Sequence, residues 1–256
     1  KPRPNIHVNK DKPLRIIYYT DPVCSACWAI EGVLHRLELE YGHIFSMDMH
    51  MGGLMPSWDK SDTKQAKEMA RMVDEAGQKY GVPVNGSVWL TNPLSSSFLP
   101  SIACKAAELQ SLDQSYALLR RLRELFFVQG RDISNDQVIL EAATQVGLNV
   151  DQLVQDIPQK GKELFDQDIE LGIGLGVWGF PTLYFFGANG EEQELFGVYP
   201  YEKYEQIIKE LVPAAEKREY DQSLMPLMNR FGSLTVKEKR MKIWRSFLRL
   251  METFGD

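Results

Sequence analysis

Cys24 and Cys27 constrain this chain more than any other residues. They are separated by Ser25 and Ala26 and follow a strand-like run, Ile16-Ile17-Tyr18-Tyr19, at the point where a helix should begin. Two cysteines at this spacing can close a small disulfide or share a metal ion. The strand-to-helix junction favours the redox reading, because the free N–H groups and the dipole of a helix N-terminus stabilise a thiolate. Cys24 is then expected to be the exposed nucleophile. Cys27, one turn inside, is expected to resolve a mixed disulfide.

A distant segment supports the same reading. Trp178-Gly179-Phe180-Pro181-Thr182 precedes the apolar run Leu183-Tyr184-Phe185-Phe186. A proline cannot donate to a sheet ladder, so Pro181 belongs at the first residue or the edge of that strand. The pair of motifs resembles thioredoxin-like proteins. In those proteins the equivalent proline is cis and faces the cysteines, and the loop before it often accepts a substrate backbone. Cis bonds are largely confined to proline, so the geometry is available here. The resemblance makes Cys24, Cys27 and Pro181 the candidate site, with Trp178 and Phe180 beside it as peptide-binding or simple packing residues. Trp28 is expected to pack at the rim.

Composition narrows the remaining classes. The formal net charge of −6 argues against bulk nucleic-acid binding. The chain contains no apolar run near the ~20 residues of a membrane span. Lys1 to Lys12 is polar with no signal-like apolar core, so the expected location is cytoplasmic. A structural zinc site takes about four ligands, and there is no second Cys-x-x-Cys or paired-histidine motif. No metal and no cofactor is therefore expected. His7, His35, His43 and His50 are scattered, and His50 reads as a solvent-facing residue of an alternating strand. Cys104 lies in an alanine-rich stretch and reads as a small buried apolar residue.

The pattern along the chain predicts strands over Leu14 to Thr20 and Ile44 to Met51, joined by a helix from about Cys27 to Tyr41 with Ile30, Leu34, Leu37 and Tyr41 at helical spacing. A β-α-β unit implies parallel pairing. A polar helix, Thr63 to Tyr80, and a loop, Gly81 to Pro100, open a long insertion. Helices are expected over Ser101 to Leu109, Asp113 to Gln129, Asn135 to Val146, Asp151 to Ile157 and Lys160 to Leu175. Two strands follow, Thr182 to Phe186 and Gln193 to Phe196, around an Asn189-Gly190 turn. Pro200 to Val212 closes the unit. Residues 1–13 form an N-terminal segment and 213–256 a linker with a small helical unit. In that unit Gln222 to Phe231 is a short helix broken at Gly232-Ser233, and Thr235 and Glu238 form a capping box. The helix after it carries Met241, Trp244, Leu248 and Met251 on one stripe and Lys237 to Arg249 on a basic face. That face reads as solvated, since no base-reading recognition helix accompanies it.

The order β-α-β, helical insertion (about 57–175), β-β-α resembles the DsbA family over residues 14–212. It is an α/β thioredoxin fold with an inserted helical domain and a helix-turn-helix-like appendage. Within that layout, Asp21-Pro22-Val23-Cys24-Ser25-Ala26-Cys27-Trp28, the basic appendage, and Phe45 to Pro56 resemble the SpxH (YjbH) family of ClpXP adapters. The resemblance implies a cytoplasmic recognition module that binds the transcription regulator Spx and promotes its degradation, touching the ClpXP protease only indirectly. The chain is then not an enzyme, and its redox motif is inherited or regulatory. The alternative is a cytoplasmic dithiol–disulfide oxidoreductase or isomerase using Cys24 and Cys27. Ser25 and Ala26 mildly favour the adapter, because a histidine between the cysteines would have stabilised the thiolate.

Overall fold

We describe a computed structural model of the chain, in which residue 8 and residues 11–241 are described. A four-stranded sheet carries the strand order β2-β1-β3-β4. The central strand β1 (Leu14–Thr20) is buried along almost its whole length. That burial explains its nearly unbroken apolar sequence, since a strand flanked on both edges and covered on both faces has no solvent side. β2 (Phe45–Met51) pairs with β1 in parallel, Leu14 opposite Phe45. β3 (Thr182–Gly187) pairs with β1 antiparallel, Tyr19 opposite Thr182, and with β4 (Glu192–Phe196) through the Asn189-Gly190 hairpin. Gly190 has φ +88°, as such a turn requires.

α1 (Ser25–Tyr41) makes the crossover from β1 to β2, with Cys24 as its N-cap. It packs Ile30, Val33, Leu34 and Leu37 against Leu14, Ile16 and Tyr18 on one face of the sheet. The other face carries Ile17, Tyr19 and Tyr184.

Between β2 and β3 comes the helical insertion: α2 (Thr63–Tyr80), α3 (Val88–Thr91), α4 (Phe98–Glu108), α5 (Leu112–Arg123), α6 (Asp136–Gln145), α7 (Val150–Asp156) and α8 (Lys162–Leu175). Asp62 caps α2 through the backbone N–H groups of Lys64 and Gln65. α8 packs Leu175 against the second sheet face. α9 (Tyr201–Leu211) returns alongside α1, held where Tyr201 donates to Glu40 and Tyr41 donates to Glu205.

Three expectations for the insertion change in detail. The loop 81–100 contains α3, which buries Trp89 against Trp58 and Phe126. The helix expected over Asp113 to Gln129 is α-helical only to Arg123 and widens into a π turn over Glu124–Val128. α7 and α8, expected as separate helices, are joined by a second π turn over Ile157–Gly161. A π turn inserts one extra residue per turn and rotates the following side chains, so a 3.6-residue pattern does not reveal it.

The segment after α9 folds back onto α1. Lys217 pairs with Glu40 and Glu205, and the Arg218 N–H donates to the Glu40 carbonyl. α10 (Leu224–Phe231) buries Leu227 and Phe231 against Leu39 of α1. The chain turns at Gly232, φ +77°, and enters α11 (Val236–Arg240) through the capping box: the Thr235 N–H donates to Glu238 and the Glu238 N–H to Thr235 Oγ1. The apolar stripe and basic face expected to continue to Met251 lie, from residue 242 on, outside the described residues. Among the described residues no helix is long and apolar enough to cross a membrane.

Candidate functional site

Cys24 and Cys27 are joined by a disulfide at the first turn of α1. Cys24 Sγ also accepts the Cys27 N–H at 3.1 Å, so a disulfide sulfur takes the place of the usual Ser or Asp cap. Cys27 is fully buried. Cys24 is only 6% exposed, contrary to the expectation of an exposed nucleophile. As the N-cap it turns its sulfur inward, onto the helix and toward its partner.

Pro181 leads into β3 after a cis Phe180–Pro181 bond. Because Thr182 lies opposite Tyr19, the sheet register sets Pro181 beside Thr20, at the end of the sheet from which β1 runs into Cys24. Its carbonyl accepts the Gly197 N–H at the end of β4. Gly52, just past β2, donates its N–H to the Thr20 carbonyl. Phe180 lies so close over Gly52 that an added Cβ would come within 1.9 Å of its ring. The segments after β1 and β2 and the one before β3 thus converge at one end of the sheet. Trp178 stands out from this end, 74% exposed, with its ring against Phe196. Trp28 lies in the core against Phe127 and not at the rim.

Asp21 was not singled out from sequence, yet it organises this end. It is fully buried, its Oδ1 accepts the Val23 N–H, and its Oδ2 accepts from the Leu54 N–H and from Ser97 Oγ. One carboxyl therefore ties the cysteine loop to the segment after β2 and to the start of α4. Burial pushes its pKa up to about 6, against the opposing pull of those donors and of Arg123. The Asp21-Pro22 turn ahead of the cysteines was the available signal, since Asp side chains commonly bond the backbone two residues on.

His50 is not solvent-facing. It stacks on Tyr19, and its Nδ1 lies 2.5 Å from Asp168 of α8. Asp168 also accepts the Met51 N–H and pairs with Lys105 of α4. At His50 the polar face of β2 is covered by the insertion, which alternation along one strand cannot reveal. Cys104 is buried as expected, and burial pushes its thiol pKa up.

A buried ionic cluster sits behind the cysteines. Glu31 on α1 receives Arg120 on one carboxyl oxygen and Arg123 on the other, both at 2.9 Å. Arg120 also reaches Glu238 of α11, which pairs with His35. Burial alone would raise the Glu238 carboxyl, but the His35 hydrogen bond and the Arg120 guanidinium outweigh it and hold the pKa at about 2. Beside this cluster, α1, β2, α5 and α10 line a pocket of about 850 Å³ that opens to solvent.

The thioredoxin family model matches residues 18–206. Among solved structures, a putative protein disulfide isomerase from Nitrosomonas europaea superposes with a TM-score of 0.68 at 15% identity, covering 79% of this chain and 97% of that one. The cytosolic disulfide reductase DsbM from Pseudomonas aeruginosa gives 0.60 at 23% identity, covering 74% and 91%. At those identities the likeness concerns the fold. The curated relatives are nearer. The ClpXP adapter protein SpxH of Halalkalibacterium halodurans is 32% identical over 87% of this chain and 75% of its own length. SpxH of Shouchella clausii is 31% identical over 94% and 81%, and SpxH of Bacillus subtilis 30% over 80% and 70%. A thioredoxin-like fold with a helical insertion, shared over most of its length with these proteins, makes this chain a member of the SpxH family.

Proposed function

We propose that this protein is a ClpXP adapter that binds the transcription regulator Spx in the cytoplasm and promotes its degradation. One observation carries the reading. The thioredoxin family model accounts for residues 18–206, whereas the likeness to the SpxH of Shouchella clausii spans 94% of the chain and so extends beyond that unit. A generic dithiol enzyme needs only the thioredoxin part. The buried Cys24 agrees with a recognition role, because a cysteine that is 6% exposed is poorly placed to meet a protein disulfide. An adapter of this kind acts by binding: it holds its cargo through an interface of ordinary size, above ~1,000 Å² in total, and raises its effective concentration at the protease. The test is a binding titration of purified Spx against the wild type and against the Cys24→Ala/Cys27→Ala variant. Equal affinities support a thiol-independent adapter, and absence of binding to either removes the reading.

A second reading rests on the disulfide at the α1 N-terminus and the adjoining cis proline. In a dithiol–disulfide exchange, reduced Cys24 attacks a substrate disulfide and Cys27 displaces the substrate thiol. Two electrons and two protons pass to the substrate, leaving Cys24–Cys27 oxidised, while Pro181 positions the substrate strand. Thiol-dependent turnover that disappears in Cys24→Ser would support it. Absence of turnover on a model disulfide with excess dithiothreitol would exclude it.

A further inference from the structure

The buried ionic cluster joins the cysteine loop to the C-terminal helices without a break. The Asp21 carbonyl accepts both the Cys24 N–H, at 3.2 Å, and Arg123, at 3.3 Å. Arg123 also holds Thr20 Oγ1 at 2.6 Å and Glu31 at 2.9 Å. Glu31 shares its other oxygen with Arg120. Arg120 divides its donors among Glu31, Glu238 and Ser233 Oγ. Glu238 is at once the capping-box residue of α11 and the anchor of that helix on Arg120 and His35. Arg123 and Glu238 are each only 1% exposed. Cys27 and Glu31 stand four residues apart, one above the other on α1. The contacts α10 and α11 make with α1 all lie on that helix: Phe231 stacked on His35, Arg230 paired with Glu38, and Lys237 donating to the Ala29 carbonyl.

Residues of one hydrogen-bond and salt-bridge network are energetically coupled, and a donor shared between two partners leaves one as it is drawn to the other. We propose that the Cys24–Cys27 pair and the docking of α10–α11 are energetically coupled through Arg123, Glu31, Arg120 and Glu238, with the C-terminal helices held most firmly in the disulfide form. Reduction by a small thiol such as glutathione breaks the Sγ–Sγ bond. Two glutathione molecules supply two electrons and two protons, glutathione disulfide leaves, and Cys24 and Cys27 become thiols. Thiolate character then develops at the α1 N-terminus, where the helix dipole favours it. The negative charge draws Arg123 toward the cysteine loop, Glu31 turns more fully to Arg120, and the hold of Arg120 on Glu238 loosens. The coupling concerns this chain alone and stands whether or not Spx is its partner.

Coupling is reciprocal, which gives two readouts on the full chain. The first is amide hydrogen exchange across residues 224–240 in the disulfide form and in the form reduced with excess glutathione. Exchange about fivefold faster or more on reduction is expected, the lower end of ordinary coupling between sites. The second is the disulfide fraction of the wild type and of Glu238→Gln in glutathione buffers of fixed ratio. The variant should shift toward the dithiol by a comparable factor. Equal exchange in the two redox states overturns the proposal, and so does an exchange difference with no shift in the variant. Should Glu238→Gln fail to fold, the wild-type exchange experiment decides alone.

Discussion

Replacing Asp21 by Asn should leave a pH-dependent signature in stability. The carboxyl is fully buried, and its pKa is pushed up to about 6 from an ordinary 3.8, first by burial. The difference is about 2 units, and at about 1.4 kcal/mol per unit it amounts to about 3 kcal/mol. The sign follows from proton binding. The folded carboxyl keeps its proton up to about pH 6 while the unfolded one releases it near pH 4. The group therefore favours folding most below pH ~4, and that contribution is lost as pH rises through ~6. Asn mimics the neutral acid but does not titrate. It also takes an acceptor from the Leu54 N–H, a pH-independent cost of about 1–3 kcal/mol. The quantity to measure is the stability of Asp21→Asn minus that of wild type, from urea unfolding at pH 4 and pH 7.5. It should move in favour of the variant by about 2.4 kcal/mol between the two. A difference that stays constant with pH, or moves the other way, refutes the assignment of Asp21 as a buried carboxyl that is costly to ionise.

Other outcomes follow from the same contacts. Glu238, held at about 2, contributes about 3 kcal/mol of stability above pH ~4.5 that is lost as pH falls toward 2, so wild type and Glu238→Gln should converge in acid unfolding. Gly52→Ala places a methyl on the Phe180 ring and should cost about 1–3 kcal/mol in a thermal or urea melt while altering the exposure of Trp178 read by fluorescence. Arg120→Met leaves Glu31 and Glu238 short of a buried partner and should cost about 3–5 kcal/mol, whereas breaking the exposed Lys162–Asp166 pair by Lys162→Met should cost less than about 1 kcal/mol.

Much of the fold was legible because its signals are local. The unbroken apolar β1, the cysteines at its exit, the proline opening β3, the Asn-Gly turn and the Thr235–Glu238 capping box each occupy a few consecutive residues, and the structure has them where the pattern set them. What the sequence hid depends on distant segments. His50 alternates correctly on β2, yet it is covered because α8, over a hundred residues later, brings Asp168 to it. Cys24 is covered for a local reason instead: an N-cap side chain turns onto its own helix. The cluster of Glu31, Arg120 and Glu238 joins residues from α1, α5 and α11, and charges so far apart read individually as solvated surface. The same holds for the C-terminal helices. α10 and α11 pack on α1 through contacts no single segment announces.

The central claim is the adapter function, and the most direct test is the rate at which ClpXP degrades Spx with this protein absent, present, or present as Cys24→Ala/Cys27→Ala. The account predicts acceleration by both forms, because recognition and not thiol chemistry does the work. No acceleration by either form contradicts it.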